Sequence, residues 1–250
     1  MRCALSLLKA PAYNGDMKTQ MEQRANTMRF RVDEAEALRY MGYADQEVDP
    51  ALALRMRAIF ERCEQVSSPS WMYRMYAVSD SDEGLRLEGT TLVLRGNDIR
   101  AHLEGARECA VMVATLGLAN ERELRRVSLL NGLDGMIFDA ASSALVETVA
   151  DACNAAIVAE TYARGLHAKW RFSPGYGDLP LGLQSEIVRV LAADKQLGVT
   201  ATDTDMLIPA KSVTAFVGLF DTPQDTERTC ANCSFAPYCD LRKKGTQCYR

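Results

Sequence analysis

The chain has 250 residues and a net charge of −4, from 29 lysines and arginines against 33 aspartates and glutamates. With 48% hydrophobic and 25% charged residues, its composition is that of a globular protein and excludes a largely disordered or fibrous chain. The near balance of charges gives no electrostatic reason to expect nucleic acid or an anionic membrane as a partner.

The apolar segments of the sequence are too short for a membrane span or for the core of a signal peptide. No apolar run reaches the roughly 18–20 residues that a transmembrane helix needs, and the best one, residues 110–119, is interrupted by Thr115 and Gly117. Lys9 ends the first apolar stretch before a signal-peptide core is complete. We therefore expect a cytoplasmic protein. Residues 1–27 lack a clear hydrophobic period, and we expect either a loose extension or a start codon placed too early, since Met17 and Met21 precede Met28.

The first half of the chain mixes short helices with β-rich segments. Caps and hydrophobic periods predict a strand over 29–32, a helix over 34–43 and a helix that begins at Asp49-Pro50. β-rich segments over 71–78 and 91–94 predict an antiparallel meander, because the residues between them include a polar turn and then alternate.

The second half is dominated by a long alanine-rich segment, residues 134–164, which predicts a helix against which neighbouring backbone can pack closely. The other expected elements are helices over 97–105, 121–130 and 184–191 and strands over 108–118, 206–208 and 213–219. Runs of strands mixed with runs of helices indicate an α+β fold with an antiparallel sheet.

Common catalytic patterns are missing from the sequence. It contains no phosphate loop, no GxGxxG, no HExxH and no GxSxG. Both histidines, His102 and His167, fall on predicted helical surface, where solvation or packing is expected rather than catalysis. Four scattered cysteines have the pattern of small buried side chains: Cys3, Cys63, Cys109 and Cys153.

Two loops are candidates for a binding site. The segment 171–180, RFSPGYGDLP, has two prolines and two glycines, which predict a rigid, sharply turned loop whose amides can approach a ligand. Arg171 at its entrance has the two-pronged geometry that binds a carboxylate; the alternative is a purely structural loop with a solvated arginine. The segment 206–213, MLIPAKSV, predicts a turn between two strands, and taken alone it is a hairpin.

Taken together and in this order, the two loops resemble the activation domain of cobalamin-dependent methionine synthase. The resemblance rests on Arg-x-x-Pro-Gly-Tyr at 171–176 and Met-x-x-Pro-x-x-Ser-Val at 206–213. The fuller strings RFSPGYGDLP and PAKSV are similar to free-standing relatives of that domain. The likeness extends upstream to about residue 105 and covers roughly residues 105–220.

This resemblance implies a domain over 28–222 with a twisted antiparallel sheet that binds S-adenosylmethionine. In the family, the methyl group of that ligand rescues cobalamin that has been oxidised to cob(II)alamin, and flavodoxin or a ferredoxin-like donor supplies an electron. Arg171 takes the position of the arginine that meets the ligand carboxylate. The other implied ligand contacts are Pro174, Gly175, Tyr176, Gly177, Lys211, Ser212, Val213 and, on the long helix, Glu147.

The chemistry of such a site requires positioning more than acid or base catalysis. The methyl donor is reactive by itself and cob(I)alamin is the nucleophile, so we predict no catalytic residue. A length of 250 residues cannot also hold folate, homocysteine and cobalamin modules. The cobalamin is therefore expected on a partner, either a methionine synthase or another corrinoid methyltransferase.

A cysteine-rich tail, residues 223–250, departs from the family pattern. Cys230, Cys233, Cys239 and Cys248 begin with CxxC spacing, which is typical of zinc or iron–sulfur ligands; disulfides and free thiols are the alternatives. Two other functions follow from this tail. One is an iron–sulfur redox reactivator of corrinoid proteins, and the other is a non-enzymatic binding module held by a zinc clip.

Overall fold

The structure, a computed structural model, describes residues 23–24, 29–43, 46–224 and 243. Its helices are α1 (Glu34–Tyr40), α2 (Pro50–Val66), α3 (Asn97–His102), α4 (Leu118–Leu130), α5 (Gly132–Ala163), α6 (Leu183–Leu191) and α7 (Ala193–Gln196). Its strands are β1 (Gln23–Arg24), β2 (Ser70–Ser81), β3 (Gly84–Leu87), β4 (Val93–Leu94), β5 (Glu108–Thr115), β6 (His167–Ala168), β7 (Thr200–Ala201), β8 (Leu207–Ile208) and β9 (Ser212–Phe220).

The main sheet is antiparallel throughout and confirms the predicted α+β class. Its strands run in the order β4-β3-β2-β5-β9-β6, and β1 pairs with β2 beside this path. The predicted meander is present as β2, β3 and β4. At the centre, β5 pairs with β2 on one edge and with β9 on the other, so that Met112 lies between Tyr73 and Ala215.

Both faces of the central strands are covered, which explains why β5 is apolar along its whole length. Ala110 and Met112 belong to the core under α1, α2 and α5. The alternate residues Val111 and Val113 belong to the core on the other face, which includes residues of α3 and α6. Because successive side chains of a strand point to opposite faces, one apolar run serves two cores.

The long helix α5 confirms the prediction for the alanine-rich segment, and small residues let its neighbours come close. A Cβ added to Gly135 would lie 2.8 Å from the Cα of Ser128 on α4, so these two helices meet nearly backbone to backbone. Ala141 and Ala144 are buried against the sheet. One face of α5 therefore packs on the sheet, while residues further round the helix reach the loops described below.

The strand predicted over 29–32 is wrong. These residues form no strand, and the amide of Val32 donates to Glu64 Oε1 at 2.9 Å instead of to a neighbouring strand. The helix caps that follow are confirmed, because the side chains of Asp33 and Asp49 each accept hydrogen bonds from amides of the first turn of α1 and α2. Thus a side chain of α2 takes the place of a strand partner.

The hairpin predicted for 206–213 is also wrong. β8 pairs with β7 in a separate two-stranded sheet, whereas β9 pairs with β5 on one edge and with β6 on the other. The second edge of β9 pairs with Phe172 at Phe216 and with β6 at Leu219 and Phe220, whereas β8 pairs with β7 instead. The two strands remain neighbours in sequence, and the turn between them is part of the candidate site.

The buried cysteines confirm the packing role expected of them. Cys63, Cys109 and Cys153 are free thiols without measurable exposure. Burial raises the pKa of Cys109 to about 12 and raises the pKa of the other two thiols as well, so none is a ready thiolate at neutral pH. Cys3 lies outside the described residues.

No helix of the described part of the chain is long and apolar enough to cross a membrane.

Candidate functional site

The first loop, residues 171–180, leaves the main sheet beside β9. Phe172 bridges Phe216 through two backbone hydrogen bonds of 2.8 Å. Beyond this bridge the amide of Gly175 donates to the carbonyl of Leu179 at 2.9 Å. Gly175 has a φ of +88°, a conformation that favours glycine. The loop is therefore sharply turned at the position where the prolines and glycines predict it.

The tip of the first loop is tied to the beginning of α3 by two aspartates. The Asp178 carboxylate accepts from the amides of Asn97 at 2.6 Å and Asp98 at 3.1 Å, and the Asp98 carboxylate accepts from the amide of Asp178 at 3.2 Å. A Cβ on Gly177 would overlap Asp98 Oδ2, so this position requires glycine. Gly177 thus supports the loop through its contact with α3.

The second loop, which is the turn at 209–213 within the predicted segment 206–213, is anchored to α5 by Lys211. Lys211 Nζ lies 2.8 Å from Ser143 Oγ and 2.8 Å from Asp139 Oδ1. The Lys211 side chain is only 17% exposed, because it lies along the helix. Its ammonium group therefore anchors the loop to α5.

Two further contacts fix the backbone of the second loop. Glu121 of α4 accepts a hydrogen bond of 3.0 Å from the amide of Ala210. Ser212 Oγ lies 2.8 Å from Thr115 Oγ1 at the end of β5. Since α4, α5 and β5 all contribute, the loop is positioned by the core of the domain rather than by its own sequence alone.

A cavity of about 190 Å³ lies between the two loops, and we call it the loop pocket. Of the residues implied by sequence, it is lined by Glu147, Arg171, Pro174, Tyr176, Ser212 and Val213. The structure thus brings both loops and the long helix to one concave site. Gly175, Gly177 and Lys211 are not among the lining residues and act in the architecture of the loops.

Arg171 is the cation of the loop pocket, and it faces two carboxylates of α5. Its Nη2 lies 3.0 Å from Glu147 Oε2 and 2.9 Å from Asp151 Oδ1. The Arg171 side chain is 11% exposed, against 40% for Glu147 and 73% for Asp151. Burial, followed by the nearby Glu147 carboxylate, raises the pKa of Tyr40 to about 12. Tyr40 therefore carries no charge. The charges of Arg171, Glu147 and Asp151 sum to −1.

Aromatic rings support the first loop from below. The Tyr176 ring meets Phe172 edge-on with centroids 6.2 Å apart, and Trp170 stacks on Phe172 at 5.6 Å. His102 packs 4.3 Å from Trp170, and its Nε2 lies 3.0 Å from the Trp170 carbonyl oxygen. The predicted surface position of His102 is wrong, since these contacts bury it. His167 is also not on a helix, because it begins β6.

Sequence reasoning missed several residues of this site. The loop pocket is also lined by Ser173, Gln184, Leu207 and Thr214. Asp151 could have been found from Glu147, because residues four apart on a helix share a face. Gln184 had no comparable signal, since a glutamine in the first turn of an amphipathic helix is ordinary.

The predicted metal site lies outside the described residues. Cys230, Cys233, Cys239 and Cys248 all belong to the part of the chain that the structure does not describe, so zinc or iron–sulfur ligation stays a prediction. Within the described ranges, no group of three or more histidine, cysteine or acidic side chains is arranged to hold a metal ion.

Comparisons with known proteins place the fold. No protein-family model matches the sequence, and no curated protein matches it. Among solved structures, the MetH reactivation domain bound to AdoHcy matches with a TM-score of 0.59 and 14% sequence identity, over 91% of this chain and 85% of the other. The predicted resemblance is confirmed at the level of architecture. The chain has the α+β fold of the MetH reactivation domain.

Proposed function

We propose that this chain binds S-adenosylmethionine in the loop pocket and serves as a free-standing reactivation factor for a cobalamin-dependent methyltransferase. Its target is a methionine synthase or a related corrinoid protein that carries cob(II)alamin. The observation on which this rests is the convergence of Arg171 and Glu147 with both predicted loops at one cavity. The similar fold of a domain that has AdoHcy bound supports the same reading.

The charges of the loop pocket complement this ligand. S-adenosylmethionine has one carboxylate and two cationic groups, the ammonium and the sulfonium. The loop pocket is lined by the Arg171 guanidinium and the Glu147 carboxylate, so it has a partner for the ligand carboxylate and one for its cationic part, and such complementarity favours specific binding. In this arrangement Arg171 binds the ligand carboxylate, while Glu147 faces the cationic part.

Binding requires an exchange of partners at Arg171. Its Nη2 is already within 3.0 Å of two carboxylates, and the ligand carboxylate has to compete with them. Asp151 is the more exposed of the two, so its contact costs least to give up in water. A guanidinium has five N–H donors, so Arg171 can keep its ion pair with Glu147 and still donate hydrogen bonds to the ligand carboxylate.

The chain contributes position rather than reactive groups. One electron from a flavodoxin or ferredoxin-like donor reduces cob(II)alamin to cob(I)alamin on the partner. The methyl group then passes from sulfur to cobalt, and S-adenosylhomocysteine is left. The loops hold the sulfonium at the open side of the pocket, where a second protein can reach it. Rate enhancement from such alignment needs no acid or base.

Calorimetric titration with S-adenosylmethionine tests the binding step. Arg171→Ala should weaken affinity by about 1.5–3 kcal/mol, the scale of hydrogen bonds to a charged group, or about 10- to 150-fold. Arg107→Ala is the matched control, because Arg107 is an exposed arginine that faces Asp221 and does not line the pocket. Equal affinities for wild type and Arg171→Ala would remove Arg171 from the site.

The reactivation step is tested with a partner methyltransferase in the cob(II)alamin state. We expect methylcobalamin to form only when this chain, S-adenosylmethionine and a one-electron donor are all present, with one S-adenosylhomocysteine per cobalt methylated. Methylation at an equal rate without this chain would refute its role in reactivation.

Elemental analysis of the same anaerobic protein tests the tail, since iron with sulfide supports an electron-carrying cluster and stoichiometric zinc supports a structural clip.

A further inference from the structure

The side-chain oxygen of Gln184, in the first turn of α6, is a hydrogen-bond acceptor that the fold leaves unused. Its Oε1 is buried and has no hydrogen-bond partner among the described residues. Gln184 also lines the loop pocket. A buried acceptor without a partner destabilises the protein that contains it, so this side chain is explained if a molecule in the pocket supplies the donor.

We propose that Gln184 Oε1 accepts a hydrogen bond from the α-ammonium group of the bound S-adenosylmethionine, and so helps to recognise its amino-acid end. This assignment rests on the proposed function. It adds to the loop pocket a ligand contact that no motif in the two loops indicates.

The size of the loop pocket favours the amino-acid end of the ligand. Its volume of about 190 Å³ is below the roughly 300–1,000 Å³ of pockets that enclose drug-sized molecules. Only part of S-adenosylmethionine is therefore enclosed, and the remainder lies at the open side. Because Arg171 is the cation of the pocket, the enclosed part is the one that carries the carboxylate.

The position of the carboxylate fixes that of the ammonium. In an α-amino acid both groups are attached to the same carbon, so an ammonium cannot be far from a carboxylate held by Arg171. An ammonium has three donors and no acceptor. Glu147 supplies a charged acceptor in the pocket, and Gln184 supplies a neutral one. A neutral amide oxygen adds a hydrogen bond without adding a further negative charge.

The stability of the ligand-free protein gives a second readout. If Gln184 serves the ligand, replacing its amide by an apolar group of similar length removes an unpaired oxygen from the ligand-free protein. The free protein should then be as stable as wild type or more stable, while binding suffers. A glutamine that merely supports the fold would behave in the opposite way, with lower stability and unchanged affinity.

The experiment compares wild type, Gln184→Met and the control Gln196→Met, which changes a partly buried glutamine of α7 outside the pocket. Calorimetry measures affinity for S-adenosylmethionine and for methylthioadenosine, which lacks the amino-acid end. Gln184→Met should lose about tenfold in S-adenosylmethionine affinity and stay within about twofold for methylthioadenosine. Its unfolding temperature without ligand should equal or exceed that of wild type.

Each other outcome overturns a stated part. If wild type does not bind S-adenosylmethionine, the proposed function and this assignment both fail. If wild type binds and Gln184→Met binds equally well, only the assignment fails. An equal loss for both ligands would place the Gln184 bond on the adenosine portion and refute the contact with the ammonium. A lower unfolding temperature with unchanged affinity would make Gln184 a structural residue.

Discussion

Two ion clusters in this molecule have mirror-image compositions. In the first cluster, the Glu123 carboxylate lies between Arg62 and Arg126, at 2.9 and 2.8 Å. At the loop pocket, Arg171 lies between Glu147 and Asp151 at 3.0 and 2.9 Å. In both clusters the single central group is mostly buried, at 9% and 11% exposure of its side chain. The flanking groups are more exposed.

The difference between the clusters lies in what else they face. The Glu123 cluster joins α2 to α4, and none of its members lines the loop pocket. The Arg171 cluster joins the first loop to α5 at the wall of that cavity. The same chemistry therefore crosslinks helices in one place and offers a charged surface to a ligand in the other. Removing the first should affect stability, and removing the second should affect binding.

The largest expected effect on stability is that of Glu123→Gln. The variant loses charge-assisted hydrogen bonds from two arginines, and we expect the free energy of unfolding to fall by about 1–2 kcal/mol, since exposure of the arginines screens part of the interaction. Urea denaturation at pH 7 measures this loss. S-adenosylmethionine affinity should not change. A variant as stable as wild type would show that this cluster does not hold α2 to α4.

Acid should remove the same contribution in wild type. Hydrogen bonds from Arg126 and Arg62 lower the pKa of Glu123 from 4.5 to about 2. A carboxyl group with a depressed pKa stabilises the fold above its unfolded value and loses this effect as pH falls through the folded value. The stability difference between wild type and Glu123→Gln should therefore shrink between pH 4.5 and about 2. A constant difference across that range would contradict the assignment.

Sequence patterns predicted the parts of the fold that depend on local periodicity. Two examples are the helix caps at Asp33 and Asp49 and the uninterrupted apolar run of β5. In each, the residues of the segment itself are enough to indicate the structure. The failures depend on distant partners. Residues 29–32 form no strand, and the amide of Val32 donates to the distant Glu64 side chain instead. No residue within 29–32 predicts this hydrogen bond.

The candidate site divides in the same way. The two loops were found because prolines, glycines and Arg171 form a recognisable order along the chain. Gln184 was missed because its distinguishing property, a buried oxygen without a described partner, exists only once α6 is packed beside the loop pocket. His102 was misplaced because a six-residue helix has too few turns to show which face Trp170 will cover.

Replacing each carboxylate beside Arg171 separates contact with the arginine from contact with the ligand. Glu147 lines the loop pocket, while Asp151 touches Arg171 and is mostly in solvent. Glu147→Gln should weaken S-adenosylmethionine binding by about 1 kcal/mol, a moderate value for opposite charges near a protein surface. S-adenosylhomocysteine keeps the ammonium that faces Glu147 but lacks the sulfonium charge, so it should lose most of this amount but somewhat less than S-adenosylmethionine.

Asp151→Asn is the matched control and should change affinity by no more than about 0.5 kcal/mol, the scale of an exposed ion pair. Calorimetry with both ligands on both variants measures four changes in binding free energy. If the two variants lost affinity equally, the site would sense only the total charge around Arg171, and Glu147 would have no special position. If Glu147→Gln affected both ligands equally, the carboxylate would contact a group that they share rather than sense the sulfonium.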